Sequence, residues 1–497
     1  MLFFNRLKNI FIVLFCLSFV LCIPMFFSSC EQSFVNPETS TFPPEIEELF
    51  NTPYNASNNT CASVACHNSE SRAGGLDLVN WNNAMNGSSQ GTMIIPFNGF
   101  WSHLIFVVNS DTNFAPVVDL LPSIHKMPAD KVSQLKTWID NGAANKNGET
   151  AFNSISVPCF ITNQASDLIA VVDPAKKLVT RLIPVGGRTQ SLDAPHYVTS
   201  DPAGQSIYVS LIQEGYIEKY NAYNYQQTGR QQAGLNPAHI VIDYSNQFGY
   251  VSNFDASGTE RRVKKFNANT LAIIDTVTDQ RMNAPHGMAM SSNNQFLYVA
   301  SQIGEYLFKI DLSTFEIENM VPIGPGVPPN GNGTGQYRPY QIAISPDNSK
   351  LFVSCVGPSG NTNPDVVKVF DANTLAYIQN ITVGDNPLLL KFSRDGNYVF
   401  VCNRNSNTVS IINSTGLNVI KTIDSAGIQP HGVDFTADGQ YAVIACETLI
   451  GFDGHHPTIG SFRPGVSRMI RMSDLTLMPE KLEMASFPAG IVILPYY

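Results

Sequence analysis

The chain has 497 residues, 43% of them hydrophobic and only 14% charged, a balance that supports large buried cores and excludes global disorder. Its formal charge is −10 and no Lys/Arg block occurs anywhere, which excludes nucleic acid as a partner. At this length two or three domains, or one repeat array, are expected.

Arg6 and Lys8 precede an apolar run from Ile10 to Phe27, the charged and hydrophobic regions of an export signal. Phe27-Ser28-Ser29-Cys30 resembles a bacterial lipobox, in which the Cys after two small residues is lipidated and becomes the new N-terminus. That resemblance implies a signal peptide over 1–29, a linker over 30–43 and a mature chain tethered to a membrane through lipid on Cys30. The expected product is an exported bacterial lipoprotein, periplasmic or at the outer membrane or cell surface. An uncleaved anchor is the alternative, since a run of about 18 residues can just cross a bilayer. Loss of 1–29 removes two positive charges and no negative ones, which takes −10 to −12.

Cys61 and Cys66 are close, and His67 follows at once. Two thiols on one face can form thioethers to the vinyl groups of a haem, with the adjacent imidazole held below the iron. The gap holds four residues where two are common, and a short-loop disulfide or half of a zinc site would also gather two Cys and a His. No second close Cys pair completes a four-cysteine zinc site. Downstream stand Gly74-Gly75-Leu76-Asp77-Leu78, Met93-Ile94-Ile95-Pro96, Ser102-His103-Leu104, Lys126-Met127-Pro128 and Trp138-Ile139-Asp140-Asn141-Gly142-Ala143. In this order they resemble the small bacterial c-type cytochrome domains related to the planctomycete cytochromes, over 44–150. The resemblance implies one covalent haem c on Cys61 and Cys66, with His67 as proximal and Met127 as distal iron ligand. His125 is the next candidate for the distal position. Met93 reads as core and His103 as a surface residue of a helix starting near Ser102; another helix is expected from Ala129 to Asn141.

From Cys159 onward one pattern recurs. Pro195, Pro237, Pro285, Pro339, Pro387 and Pro430 are each followed thirteen residues later by Tyr208, Tyr250, Tyr298, Phe352, Phe400 and Val443, with a turn rich in Asp, Asn and Gly between. Four strands per unit of roughly 40 to 60 residues indicate propeller blades. Pro488 to Leu494 supplies only the first strand of a seventh unit, whose other three strands lie at Phe160–Asn163, Ile169–Asp173 and Leu178–Gly186. The C-terminal strand is therefore expected to complete the N-terminal blade and close the ring. These repeats, with Phe160-Ile161-Thr162-Asn163 as the namesake stretch, resemble the YVTN family of seven-bladed β-propellers over 155–497. The expected fold class is a small α-helical cytochrome c-like domain followed by an all-β seven-bladed propeller. Cys159, Cys355, Cys402 and Cys446 are expected as buried small hydrophobes.

The residue after each aligned Pro is expected to line the channel mouth, which places His196, His286, Tyr340 and His431 there. His239, one step further along its strand, is expected to point away. Three converging His can bind a metal or an anion, or serve a structural role at the inner strand. Long loops at 324–337, 356–364 and 447–464 are expected at the same mouth, the last carrying His455 and His456, a weak metal pair. The expectation is an electron-transfer protein: a tethered haem c domain with a propeller that docks a redox partner protein or small-molecule electron donor or acceptor. The alternatives are a haem-linked oxidoreductase with its site in the propeller channel, and a binding or display propeller.

Overall fold

The computed structural model describes residues 41–54, 60–89, 91–109, 125–357, 365–448, 456–461 and 463–494. The expected export signal, Cys30 and His455 lie outside them, as does most of the expected linker. No helix among the described residues is long and apolar enough to cross a membrane.

Residues 159–493 form seven antiparallel sheets. The innermost strands are Pro195–Ser200, Pro237–Ile242, Pro285–Met290, Pro339–Ile344, Pro387–Phe392, Pro430–Phe435 and Pro488–Ile493, each packed against its two neighbours in a closed ring. Each aligned Pro opens its strand, where its missing N–H removes no ladder bond. The second strand of each blade is almost wholly buried, with Tyr208, Phe352 and Phe400 among the largest buried side chains. Outer strands are polar and exposed, as Gln227–Gln232 shows.

The seam of the ring lies where the sequence pattern puts it. Pro488–Ile493 pairs antiparallel with Cys159–Asn163, Val492 opposite Phe160 and Ile491 opposite Ile161. Asp434, fully buried in the preceding blade, accepts the Ile493 N–H at 2.9 Å and is held by Lys391 at 2.8 Å. One blade departs from four strands: Gly465–Arg471 pairs with both Thr476–Leu477 and Leu482–Met484, giving a five-stranded sheet. All four propeller cysteines are buried free thiols.

Two devices recur at the inner strands. The residue before the Pro is left-handed in six blades, at Ala194, Ala284, Arg338, Asn386, Gln429 and Phe487. Every inner strand is then irregular just after its start, as between Pro237 and Ile240 or Pro285 and Met288. In the Pro-His-Gly strands the bulge brings neighbouring backbones together, so that a Cβ at Gly287 or Gly432 would strike the next inner strand's carbonyl. Hydroxyls on second strands tie blade to blade: Ser210, Ser252 and Ser354 donate to the carbonyls of Ala238, His286 and Leu388 at 2.5, 2.6 and 2.7 Å.

The N-terminal part carries four short helices among the described residues: α1 (Pro44–Asn51), α2 (Trp81–Met85), α3 (His103–Val108) and α4 (Ala129–Asp140). The last two stand where they were expected, but so little helix does not by itself make a cytochrome fold. Leu135, Ile139, Leu104 and Ile46 form a core with Met93 and Met127, and this core is continuous with Val179, Leu482 and Met484 of the propeller. Thr92 Oγ1 accepts the Val179 N–H at 2.7 Å. His103, expected at the surface, is partly buried and meets Glu483 at 2.6 Å. Helical part and propeller are thus packed together rather than joined by a bare linker.

Candidate functional site

The cysteine pair sits in a run of tight turns. The His67 N–H donates to the Cys61 carbonyl at 3.0 Å and the Cys66 N–H to Ser63 at 2.9 Å, so the four-residue gap closes on itself and both thiols lie on one small loop. Both are half-buried and unbridged. Burial first, then the neighbouring Cys66, pushes the Cys61 thiol up to about 11, which keeps the Cys61 thiol protonated. His67 Nδ1 donates to the Ala73 carbonyl at 2.9 Å, a contact that fixes tautomer and ring orientation as in many metal-ligating imidazoles. Burial lowers its pKa, which favours the neutral ring. The His125 ring lies 6.3 Å from that of His67, and its Nδ1 is buried with no hydrogen-bond partner among the described residues. Met127 is buried in the helical core, its N–H donated to Val108. The structure therefore gathers Cys61, Cys66, His67 and His125; Ser110 to Ile124, which precede His125, lie outside the described residues.

The second cluster occupies the propeller hub. His196, His286, Tyr340 and His431, expected to line the channel mouth, come together there as buried residues, each 1% exposed or less. His239 joins them, contrary to the expectation from strand alternation. The irregularity between Pro237 and Ile240 adds a residue to the inner strand and breaks the two-residue period, so His239 lies with its ring 4.5 Å from that of His286. His196 Nε2 and His286 Nε2 are 3.2 Å apart, and His286 Nδ1 donates to the Tyr340 carbonyl at 3.2 Å. Tyr340 and His431 lead away from this triad: the Tyr340 hydroxyl donates to His431 Nε2 at 3.2 Å, and His431 Nδ1 to Glu447 at 2.7 Å. Arg404 holds the same buried carboxylate at 2.8 Å. Burial above all, with Glu447 nearby, raises the Tyr340 phenol well beyond its ordinary range, so it acts as a donor. The His456 ring lies 4.5 Å from that of His196, which brings this residue to the cluster. Beneath, the Tyr197 ring stacks on His239 at 4.1 Å and lines a channel cavity of about 310 Å³, together with Ile240, Met288, Gln341 and Lys391.

Sequence reasoning missed Arg404 and Glu447, although a signal exists. Each stands seventeen residues after an aligned Pro, just past the second strand, where the other blades place Ile212, Phe254, Gln302 and Val356.

A family model described as "Lactonase, 7-bladed beta-propeller" matches residues 262–416. The ring is a seven-bladed β-propeller. No curated protein matches the chain. Among solved structures, a functionally unknown protein from Desulfotomaculum acetoxidans DSM 771 is similar with a TM-score of 0.51 at 13% identity, covering 68% of this chain and 98% of that one. Kuenenia stuttgartiensis hydrazine synthase gives 0.47 at 18% identity, covering 62% of this chain and 89% of that one. Dihydro-heme d1 dehydrogenase NirN in complex with DHE gives 0.45 at 13% identity, covering 82% and 94%. At such identities the likeness concerns the propeller fold alone.

Proposed function

We propose that this chain is an exported, membrane-tethered c-type cytochrome whose propeller docks a redox partner or holds the haem near one. The observation that carries the reading is the loop at 61–67: two unbridged thiols, each half-buried, and an imidazole whose Nδ1 is committed to the Ala73 carbonyl. Those residues suit a haem c, with Cys61 and Cys66 as thioether anchors and His67 as proximal ligand. When bound, such a group carries single electrons. The loop 125–127 supplies the second ligand. Met127 was expected from the Met-Pro step, but the 6.3 Å spacing of the His67 and His125 rings and the partnerless His125 Nδ1 favour His125. The half-buried thiols, the ring contact to Ala73 and the apolar core around Met127 would hold the macrocycle's surroundings dry and fixed. Lipid on Cys30 would place the whole outside the cytoplasm.

The test is a pyridine haemochrome spectrum of protein made with a c-type cytochrome assembly system. A c-type spectrum is expected, abolished by Cys61→Ser with Cys66→Ser. In the ferric protein the weak far-red band of a Met-ligated haem should be absent and the visible spectrum unchanged by Met127→Ala, whereas a far-red band lost in Met127→Ala would return the role to Met127; stoichiometric zinc and no haem would overturn the reading.

A second reading, a haem-linked oxidoreductase with its reacting centre in the propeller, is supported by the buried Tyr340, His431 and Glu447 chain, which could carry a proton to or from the hub.

A further inference from the structure

His196, His239 and His286 differ from ordinary core histidines in three respects. Buried polar nitrogens are nearly always hydrogen-bonded, yet His196 Nδ1 and both ring nitrogens of His239 are buried with no hydrogen-bond partner among the described residues. Leaving such groups unsatisfied destabilises a fold, which does not accumulate them without cause. The second respect is spacing. One ring nitrogen from each of the three lies within 4.8 Å of the others, and the Nε2 atoms of His196 and His286 are 3.2 Å apart. Two imidazole nitrogens bound to one tetrahedral ion at ~2.0–2.1 Å stand about 3.4 Å apart. The third is orientation. His286 Nδ1 must carry its proton to donate to the Tyr340 carbonyl, so in the neutral ring the lone pair is on Nε2, facing His196. A backbone carbonyl on the far nitrogen is the usual outer partner of a metal-bound imidazole.

The three rings come from three consecutive blades, and the bulge that turns His239 inward is what completes the set. Only nitrogen donors are offered, with no carboxylate or thiolate among them, which disfavours calcium and magnesium and suits zinc, copper, cobalt, nickel or ferrous iron. We propose that His196, His239 and His286 bind one divalent transition-metal ion at the propeller hub. His456, whose ring lies 4.5 Å from that of His196, and the Tyr340 to Glu447 chain flank the three rings, and Tyr197, stacked on His239, lines the channel cavity. This site is separate from Cys61, Cys66 and His67 and does not depend on the haem reading.

The experiment uses the full chain and Zn²⁺ as the probe. One equivalent of zinc, counted apart from iron, should survive gel filtration and raise the melting temperature. X-ray absorption of the zinc-loaded protein should show a shell of at least three imidazole nitrogens at about 2.0–2.1 Å. His239→Phe removes two nitrogens that no described residue uses, so the metal-free variant should melt at or above the parent, while zinc affinity falls at least tenfold and the zinc-induced rise disappears. The proposal is overturned if the parent retains no zinc, if zinc affinity survives the substitution, or if the shell contains sulfur, which would put the ion at Cys61 and Cys66. Should His239→Phe fail to fold, the absorption spectrum of the parent alone decides.

Discussion

Tyr208 and Tyr298 stand at the same offset from their aligned Pro residues, and each donates its hydroxyl to a carbonyl in the next blade, Ala268 at 2.7 Å and Ala372 at 2.9 Å. Their neighbourhoods differ in one respect. The Ala268 carbonyl also accepts from Lys219 at 3.1 Å, so it stays partnered when the tyrosine hydroxyl is gone. Lys309, the corresponding cation in the other blade, bonds to Asn373 instead. Tyr298→Phe should therefore cost roughly 1–3 kcal/mol, and Tyr208→Phe nearer 0.5–1 kcal/mol. Denaturant unfolding of the two variants checks the order; equal losses would show that the second donor does not matter. At this scale the hub was partly legible in the sequence. Aligning Pro residues located His196, His286, Tyr340 and His431, because the position after a fixed strand start has a fixed direction. His239 escaped, since a bulge is set by contacts between neighbouring inner strands rather than by local sequence. Arg404 and Glu447 escaped because they follow the second strand, whose side chains were read only as core.

Among the elements, the strand Pro488–Ile493 has the largest consequence. Ile491, Val492, Ile493 and Leu494 are 5, 1, 0 and 1% exposed. At about 1.5–3 kcal/mol per buried aliphatic side chain, their loss rivals the 5–15 kcal/mol net stability of a typical domain. It would also strip Asp434 of the Ile493 N–H, leaving a buried carboxylate with one donor fewer. Truncation after Ala489 should abolish cooperative thermal unfolding of the propeller or leave it aggregated; a truncated chain that melts like the full one would refute closure at this seam. The strand was legible because its pattern recurs six times upstream with an unambiguous period. The five-stranded sheet was not: Leu482–Met484 pairs with Gly465–Arg471 in a stretch whose repeat spacing has been lost.

For the molecule as a whole, a half-buried carboxyl in one blade couples the stability of the ring to pH. Asp365 is raised to about 7, first by burial and then by its hydrogen bond to Asp385. An unfolded aspartate titrates near ~3.9, so the folded chain holds the proton more tightly. The stabilisation from this group is complete below about pH 4 and is lost as the pH rises towards 7. Measured as the difference in melting temperature between the parent and Asp365→Asn, the parent's relative stability should fall across that window. A flat difference from pH 4 to 7.5 would show that the pair is not protonated in the folded state. The mutual packing of helices and propeller was the least legible feature. It rests on partners such as His103 with Glu483 and Thr92 with Val179, 380 and 87 residues apart, which no periodicity signals.

The seam between Cys159–Asn163 and Pro488–Ile493 also sets a timetable for the newborn chain. Thr162 and Gly490 are 328 residues apart, and at the usual pace of synthesis roughly 15 to 65 s separate their appearance. Throughout that interval the first blade has three of its four strands and an open, apolar edge able to pair with any other strand. The opposite edge, Leu178–Pro184, is already guarded, because the helical part that covers Val179 precedes it in the chain. Yield should therefore depend on holdase chaperones, and prolonging that interval should raise aggregation of the unfinished chain while leaving the finished ring unaffected.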